Sequence, residues 1–211
     1  MLCLYDNLSS GNGYKVRLML SLLGLPFERV ERDIDRGETR TPEFLAMNPN
    51  GRIPLLELGP GDWLAESNAI LYYLAEGTPY LPRERRARAA ALQWLFFEQY
   101  SLEPNIATAR YWITHKLLTP AREAVLPEKR RLGHAALAVM EQHLAARAYF
   151  VGAVPTVADL ALYAYTHVAP EGGFDLAPYA AIQRWLARIP QIPGYVPITA
   201  PVGSEAAAGA P

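Results

Sequence analysis

Leu8-Ser9-Ser10-Gly11-Asn12-Gly13-Tyr14-Lys15-Val16-Arg17-Leu18-Met19-Leu20 decides how the chain is read. The apolar run Leu2-Cys3-Leu4-Tyr5 just before it predicts a strand. Val16, Leu20 and Leu23 recur about a turn apart and predict a helix. Between them lies a small polar turn containing Ser9, Ser10, Gly11, Asn12 and Gly13. A strand that enters a helix through such a turn points backbone N–H groups outward, where the positive end of the helix dipole lies. It is a place to hold a negative charge, and the hydroxyls are further donors. The same residues suit a bland role: either serine can cap the helix, and Asn12 fits a turn.

Working outward, Gly24 and Pro26 stop the first helix. Phe27 to Ile34 predicts a second strand, and 36–40 a polar loop. Thr41-Pro42-Glu43 has the form of a helix start, with a cap, a proline at the first position and an acid in the first turn. Asn48-Pro49-Asn50-Gly51 ends that helix. Pro54 then heads an apolar strand, Gly59-Pro60-Gly61-Asp62 turns it, and Trp63-Leu64-Ala65 returns as a hairpin. Glu66-Ser67 precedes another helical run, Asn68 to Glu76. The order is β-α-β-α-β-β-α: two parallel units and a hairpin, hence a mixed sheet covered by helices.

The chain has 211 residues, 51% of them hydrophobic and 19% charged, enough for a substantial core in one or two domains. A net charge of −1 gives no basic excess for nucleic acid. Cys3 is the one cysteine, so no intrachain disulfide can form, which suits a reducing compartment. Its apolar neighbours suggest a core thiol. No signal-type segment opens the chain, and no apolar run reaches membrane-spanning length. These features predict a soluble, cytoplasmic protein that engages neither membrane nor nucleic acid. His115, His134, His143 and His167 show no metal-ligand spacing, so no metal is expected.

Three blocks of this first part resemble the soluble glutathione S-transferases, of a bacterial serine or nu-like type. They are Ser10 to Arg17, Asn48-Pro49-Asn50-Gly51-Arg52-Ile53-Pro54, and Glu66-Ser67-Asn68-Ala69-Ile70-Leu71-Tyr72-Tyr73-Leu74. A fourth, Pro155-Thr156-Val157-Ala158-Asp159-Leu160, is similar to the family's helix-capping signature in its second domain. The resemblance implies an α/β thioredoxin-like domain over 1–77 and an all-α C-terminal domain over 84–200. Residues 201–211 are expected to be a disordered tail.

The resemblance also implies roles. Glutathione would be the co-substrate, bound through its γ-glutamyl, cysteinyl and glycyl parts. Ser10 would donate to its sulfur, and Asn12 would be a second donor. Which of Ser9 and Ser10 lies nearer the sulfur stays open. Pro54 would follow a cis bond that presents the backbone of Ile53 to the cysteinyl unit, as an added strand does. Arg52 would meet the glycyl carboxylate. Glu66 would take the ammonium, and Ser67 with its helix N-terminus the γ-glutamyl carboxylate. The activity implied is attack of the glutathione thiolate on a hydrophobic electrophile, of the detoxification kind. Alternatives are disulfide-bond reduction with two glutathione molecules, or a non-catalytic glutathione-binding module. A homodimer is expected. Ser9-Ser10-Gly11-Asn12 stands where a thioredoxin-like redox site would have Cys-x-x-Cys, so disulfide chemistry would use glutathione's own sulfur.

From Gly77 to Pro82 the chain reads as a linker, and from Glu84 onward as helical. Arg83, Arg85, Arg86 and Arg88 read as a solvated face or subunit edge. Leu92 to Leu118 is amphipathic and aromatic, and Pro104 should kink or split it. Further helices are predicted over 127–147, 157–168 and 178–189. Thr156 and Asp159 have the spacing of a capping box, with Asp in place of Glu or Gln. In the family the electrophile sits between the domains against the kinked helix. By that likeness Glu103, Ala107, Arg110 and Tyr111, on one helix face, would line its pocket.

Overall fold

A computed structural model of the chain describes residues 1–205. The chain forms two compact units, one made of Met1–Glu76 with residues 192–205, the other of Gly77–Gln191. Among the described residues no helix is long and apolar enough to cross a membrane.

In the first unit, β1 (Leu2–Asp6) leads into α1 (Gly11–Leu22), and β2 (Phe27–Glu31) follows. Next come α2 (Pro42–Met47), β3 (Leu55–Gly59), β4 (Asp62–Ala65) and α3 (Ser67–Ala75). The caps are those the sequence suggests: Thr41 Oγ1 accepts from Phe44 N–H, and Gly24 adopts φ +62 beyond α1. The strands form a mixed sheet in the order β4-β3-β1-β2, extended by β5 (Ser204–Glu205) beside β2. β1 and β2 are parallel with Leu2 opposite Phe27, whereas β3 is antiparallel to both β1 and β4. The second βαβ segment is therefore not a parallel unit. Helix α2 is only six residues long, with the loops at 32–41 and 48–54 on either side of it. Such a connection need not return the chain in the direction of β1. The architecture is nonetheless the thioredoxin-like α/β arrangement.

Helix α1 packs against α3, with Tyr14, Val16, Leu18, Met19 and Leu20 fully buried. It also ties down the chain beyond Gln191. Tyr14 donates to Val196 O at 2.8 Å, Arg17 to Ile198 O and Ala200 O at 3.1 and 3.2 Å, and Ser21 to Gly194 O at 2.7 Å. Two expectations change accordingly. Residues 192–200 belong to the first unit rather than to the helical domain. Residues 201–205, read as disordered, are described, and β5 pairs in parallel with β2. Residues 206–211 of that tail lie outside the described residues.

The second unit is helical. Glu84 caps α4 (Arg85–Phe97), its carboxylate accepting from Arg86 N–H and Ala87 N–H. A π-helical turn, Glu98–Leu102, then runs directly into α5 (Glu103–Thr114). Pro104 lacks an N–H, and its ring would meet the carbonyl four residues back. The widened turn accommodates it, so the chain stays helical instead of breaking. Helix α6 spans Pro120–Leu144, beginning seven residues before the expected start at Pro127. Thr119 caps it, Pro120 occupies the first turn, and Pro127 lies inside. Helix α7 (Val157–Thr166) is buried at every residue and packs on α4 and α5. Helix α8 (Ala180–Arg188) packs on α6.

Asp159, fully buried in α7, holds this unit's polar centre. Its carboxylate accepts from Thr156 N–H (2.8 Å), Thr156 Oγ1 (3.1 Å), Phe150 N–H (3.1 Å) and Trp185 Nε1 (3.0 Å). Burial pushes its carboxyl up to about 6, against the pull of these donors. Asp159→Ala would leave them buried and unmatched, at a cost of about 3 kcal/mol or more. A urea titration checks this, and a loss under about 1 kcal/mol would contradict the reading.

Candidate active site

Asn7 organises the turn between β1 and α1. Its Oδ1 accepts from Ser9 N–H (3.1 Å) and from Ser9 Oγ (2.6 Å), and its backbone carbonyl accepts from Ser10 N–H (2.9 Å). Its amide donates to Arg32 O at 3.2 Å, anchoring the turn to the chain just beyond β2. Ser10 is the N-cap of α1, its Oγ accepting from Gly13 N–H at 3.1 Å. The two serines thus differ in kind. An amide oxygen accepts only, so the Ser9 hydroxyl must donate its proton to Asn7. Ser10 accepts in its cap bond, and that bond does not use its proton.

Below this turn lies a buried carboxylate. Asp6, fully buried, pairs with Arg17 Nε at 2.8 Å. Burial pushes the Asp6 carboxyl up to about 7, opposed chiefly by the Arg17 guanidinium. Arg17 also donates to Leu8 O at 2.8 Å, so one guanidinium joins the end of β1, the turn and α1. A side chain at Gly13 would occupy Asp6's space: its β-carbon would fall 1.5 Å from Asp6 Oδ1.

Asn12 faces α3. Its Oδ1 accepts from Ser67 Oγ at 3.2 Å, and Lys15 Nζ donates to Ser67 Oγ and Asn68 Oδ1, each at 3.3 Å. Ser67 is 4% exposed and Lys15 completely buried. The N-termini of α1 and α3 are thereby joined by hydrogen bonds. Glu66, the residue before α3, is exposed and adopts φ +69, an uncommon conformation for a side-chain-bearing residue. It places Ser67 at the helix start with Glu66 O accepting from Ile70 N–H.

The Asn48–Pro54 loop is arranged by Asn48, which is buried. Its Nδ2 donates to Arg52 O at 2.8 Å, and its Oδ1 accepts from Asn50 N–H at 3.1 Å. Arg52 is exposed, Ile53 half-buried, and the Ile53–Pro54 bond is cis. Gly51 has φ +61 and lies against Thr39 and Arg40, where a β-carbon would not fit.

The structure brings Asn12 and Ser67 together, with Ser10 at the same helix start. Arg52, Ile53 and Pro54 lie in the loop before β3. Glu103, Ala107, Arg110 and Tyr111 lie together on α5 in the second unit. Arg110 Nε pairs with Glu171 at 2.6 Å, and the Tyr111 ring lies 4.4 Å from that of His115. A cavity of about 390 Å³ at the other end of α1, lined by Leu20, Gly24, Leu25, Phe27 and Val202, contains none of the expected site residues. Among the described residues no group of His, Cys, Asp or Glu could hold a metal ion. Burial pushes the Cys3 thiol up, which weakens it as a nucleophile. Asp6 and Asn7 are not among the residues that sequence reasoning singles out, and Lys15, Arg17 and Asn48 enter it only as members of the matched blocks, with no role of their own.

Residues 1–76 match the glutathione S-transferase N-terminal domain and residues 123–188 the glutathione S-transferase C-terminal domain. The chain is 33% identical to the disulfide-bond oxidoreductase YfcG of Escherichia coli (strain K12), over 92% of this chain and 94% of that protein. The chain belongs to the glutathione S-transferase family. A crystal structure of a glutathione S-transferase from Pseudomonas fluorescens superposes with a TM-score of 0.91 at 51% identity, covering 93% of this chain and 98% of that one. A glutathione transferase from Burkholderia graminis, with two glutathione molecules bound per subunit, superposes at 0.79 with 30% identity. That likeness covers 92% of this chain and 85% of that one.

The contact between Gly13 and Asp6 generates a direct test. Gly13→Ala should destabilise the protein by about 1–3 kcal/mol, since the carboxylate it meets is itself held in a buried pair. An unchanged urea midpoint would show that this contact is not as described.

Proposed function

We propose that this transferase-family chain binds glutathione on its first unit and holds the thiol as thiolate for attack on a hydrophobic electrophile. The observation that carries the reading is the division of roles between the two serines. The Ser9 proton is committed to Asn7, whereas Ser10 caps α1 as an acceptor and keeps its proton for a sulfur anion. Ser10 is therefore the thiol's partner, with the Asn12 amide as a second donor.

A free thiol has a pKa of about 8.5, so little thiolate exists at neutral pH. A hydrogen bond to a charged group contributes about 1.5–3 kcal/mol, and a helix N-terminus about 0.3–1 kcal/mol. At about 1.36 kcal/mol per unit, these lower the thiol by roughly 1–3 units. That suffices to make thiolate the main form near neutrality.

The rest of the tripeptide follows the loops. Arg52 takes the glycyl carboxylate, the Ile53 backbone before Pro54 pairs with the cysteinyl unit, and Glu66 takes the ammonium. The γ-glutamyl carboxylate meets the first-turn N–H groups of α3 at Ser67, which a helix leaves without intrahelical partners. Glu103, Ala107, Arg110 and Tyr111 are proposed to meet the electrophile, with Arg110 oriented by Glu171. A homodimer in the cytoplasm completes the reading; sedimentation would measure its mass.

Ser10→Ala should lower conjugation of an aryl halide about ten- to a hundredfold at neutral pH, the loss shrinking as the pH rises past the free thiol's value. Ser9→Ala should stay near the parent. A Ser10→Ala enzyme as active as the parent would overturn the assignment.

A second reading is favoured by the likeness to a disulfide-bond oxidoreductase and to a structure holding two glutathiones. One glutathione thiolate attacks a disulfide sulfur and the S–S bond breaks, releasing a thiolate that takes up a proton. A second thiolate then attacks the mixed disulfide, releasing the other half of the substrate as a thiol and leaving oxidised glutathione. With Ser9-Ser10-Gly11-Asn12 at the turn, both electrons come from the two glutathiones. Turnover on a small disulfide above that on an aryl halide would favour this reading, and the reverse the first.

A further inference from the structure

Lys15 is a fully buried cation that the functional reading leaves without a task. Burying an ammonium is costly unless hydrogen bonds replace its water. It lies one helical turn beyond Asn12 on α1, and donates to Ser67 Oγ and Asn68 Oδ1 across the gap to α3. Its chemistry constrains the groups beyond it. An ammonium has donors and no acceptor, so Ser67 Oγ must accept from it. The Ser67 hydroxyl proton then goes to Asn12 Oδ1, 3.2 Å away. An asparagine can turn either end of its amide toward a hydroxyl, and its hydrogen-bond network decides which. A positive charge 3.3 Å from Ser67 Oγ disfavours a second donor there and favours the carbonyl end of the amide dipole.

We propose that Lys15 is a positioning residue for the sulfur: by holding Ser67 as an acceptor it fixes Asn12 carbonyl-inward and leaves the amide nitrogen as a donor to the bound thiolate. The proposal rests on the glutathione reading above and deepens it. Without the ammonium, Ser67 Oγ can accept from the Asn12 amide. The amide then turns over and presents its carbonyl oxygen to the sulfur. An oxygen facing a thiolate disfavours the anion.

Lys15 also ties α1 to α3, so the test must read something that loosened packing alone would not move. The readout is the ultraviolet absorbance of the thiolate, titrated against pH in the presence of saturating glutathione. Parent, Lys15→Met, Asn12→Ala and the double variant are compared. The parent should titrate below free glutathione. Lys15→Met and Asn12→Ala should each move the bound thiol up by about one unit, and the double variant no further than either single change. Lys15→Met titrating with the parent, or shifts that add in the double variant, would overturn the proposal while leaving the glutathione reading intact. A parent that binds no glutathione would overturn both. If Lys15→Met does not fold, Ser67→Ala removes the middle of the chain of bonds. The bound thiol should then rise to the same extent and without adding to Asn12→Ala; an unmoved thiol in Ser67→Ala overturns the proposal equally.

Discussion

The first turn of α1 rests on a buried carboxylate, and the remainder of the site is arranged around that contact. Asp6 ends β1, and its side chain fills the space beside Gly13 that any larger residue would need. Arg17, one turn further along the helix, closes the pair and also binds Leu8 O in the turn. The start of α1 is thus fixed against the strand by one acid and one guanidinium, both fully buried. Removing either partner would leave an uncompensated buried charge, so the contact resists gradual adjustment. The same guanidinium holds the carbonyls of Ile198 and Ala200, which makes the returning segment part of the support.

On this base the two helix starts converge. Ser10 opens α1 and Ser67 opens α3, and the hydrogen bonds through Asn12, Ser67 and Lys15 join them. Both ends carry outward N–H groups that lack intrahelical partners. In the proposed binding mode, a peptide with a sulfur at one point and a carboxylate at another would meet the positive ends of two helices. No cysteine takes part, and Cys3 is made less reactive by its burial. In the proposed reaction the nucleophile arrives with the substrate, and the protein contributes donors in a fixed geometry.

Much of this was legible in the sequence wherever the signal is local. The strand–turn–helix at 2–22, the Thr41-Pro42 helix start and the capping acid at Asp159 each follow from residues a few positions apart. The β4-β3-β1-β2 sheet follows from their order, although the direction of β3 does not. What escaped sequence reading depends on distance along the chain or on exceptions to residue habit. Arg17 meets carbonyls more than 180 residues away, so nothing local announces that the chain from Ile192 returns to the first unit. A lysine usually lies at the surface, so the complete burial of Lys15 has no local mark. Pro127 reads as a helix start because prolines favour first turns, yet Thr119-Pro120 claims that role and Pro127 sits within the helix. The pairing of Asn12 with Ser67 joins two motifs that each look sufficient alone.

The central claim is that the turn after β1 keeps a bound thiol ionised, and it is met most directly by titrating glutathione on the parent protein. The thiolate absorbance of the complex should appear with a midpoint roughly 1–3 units below the free thiol's value of about 8.5. Glutathione that binds yet titrates at its free value would contradict the account, whatever the fold around it.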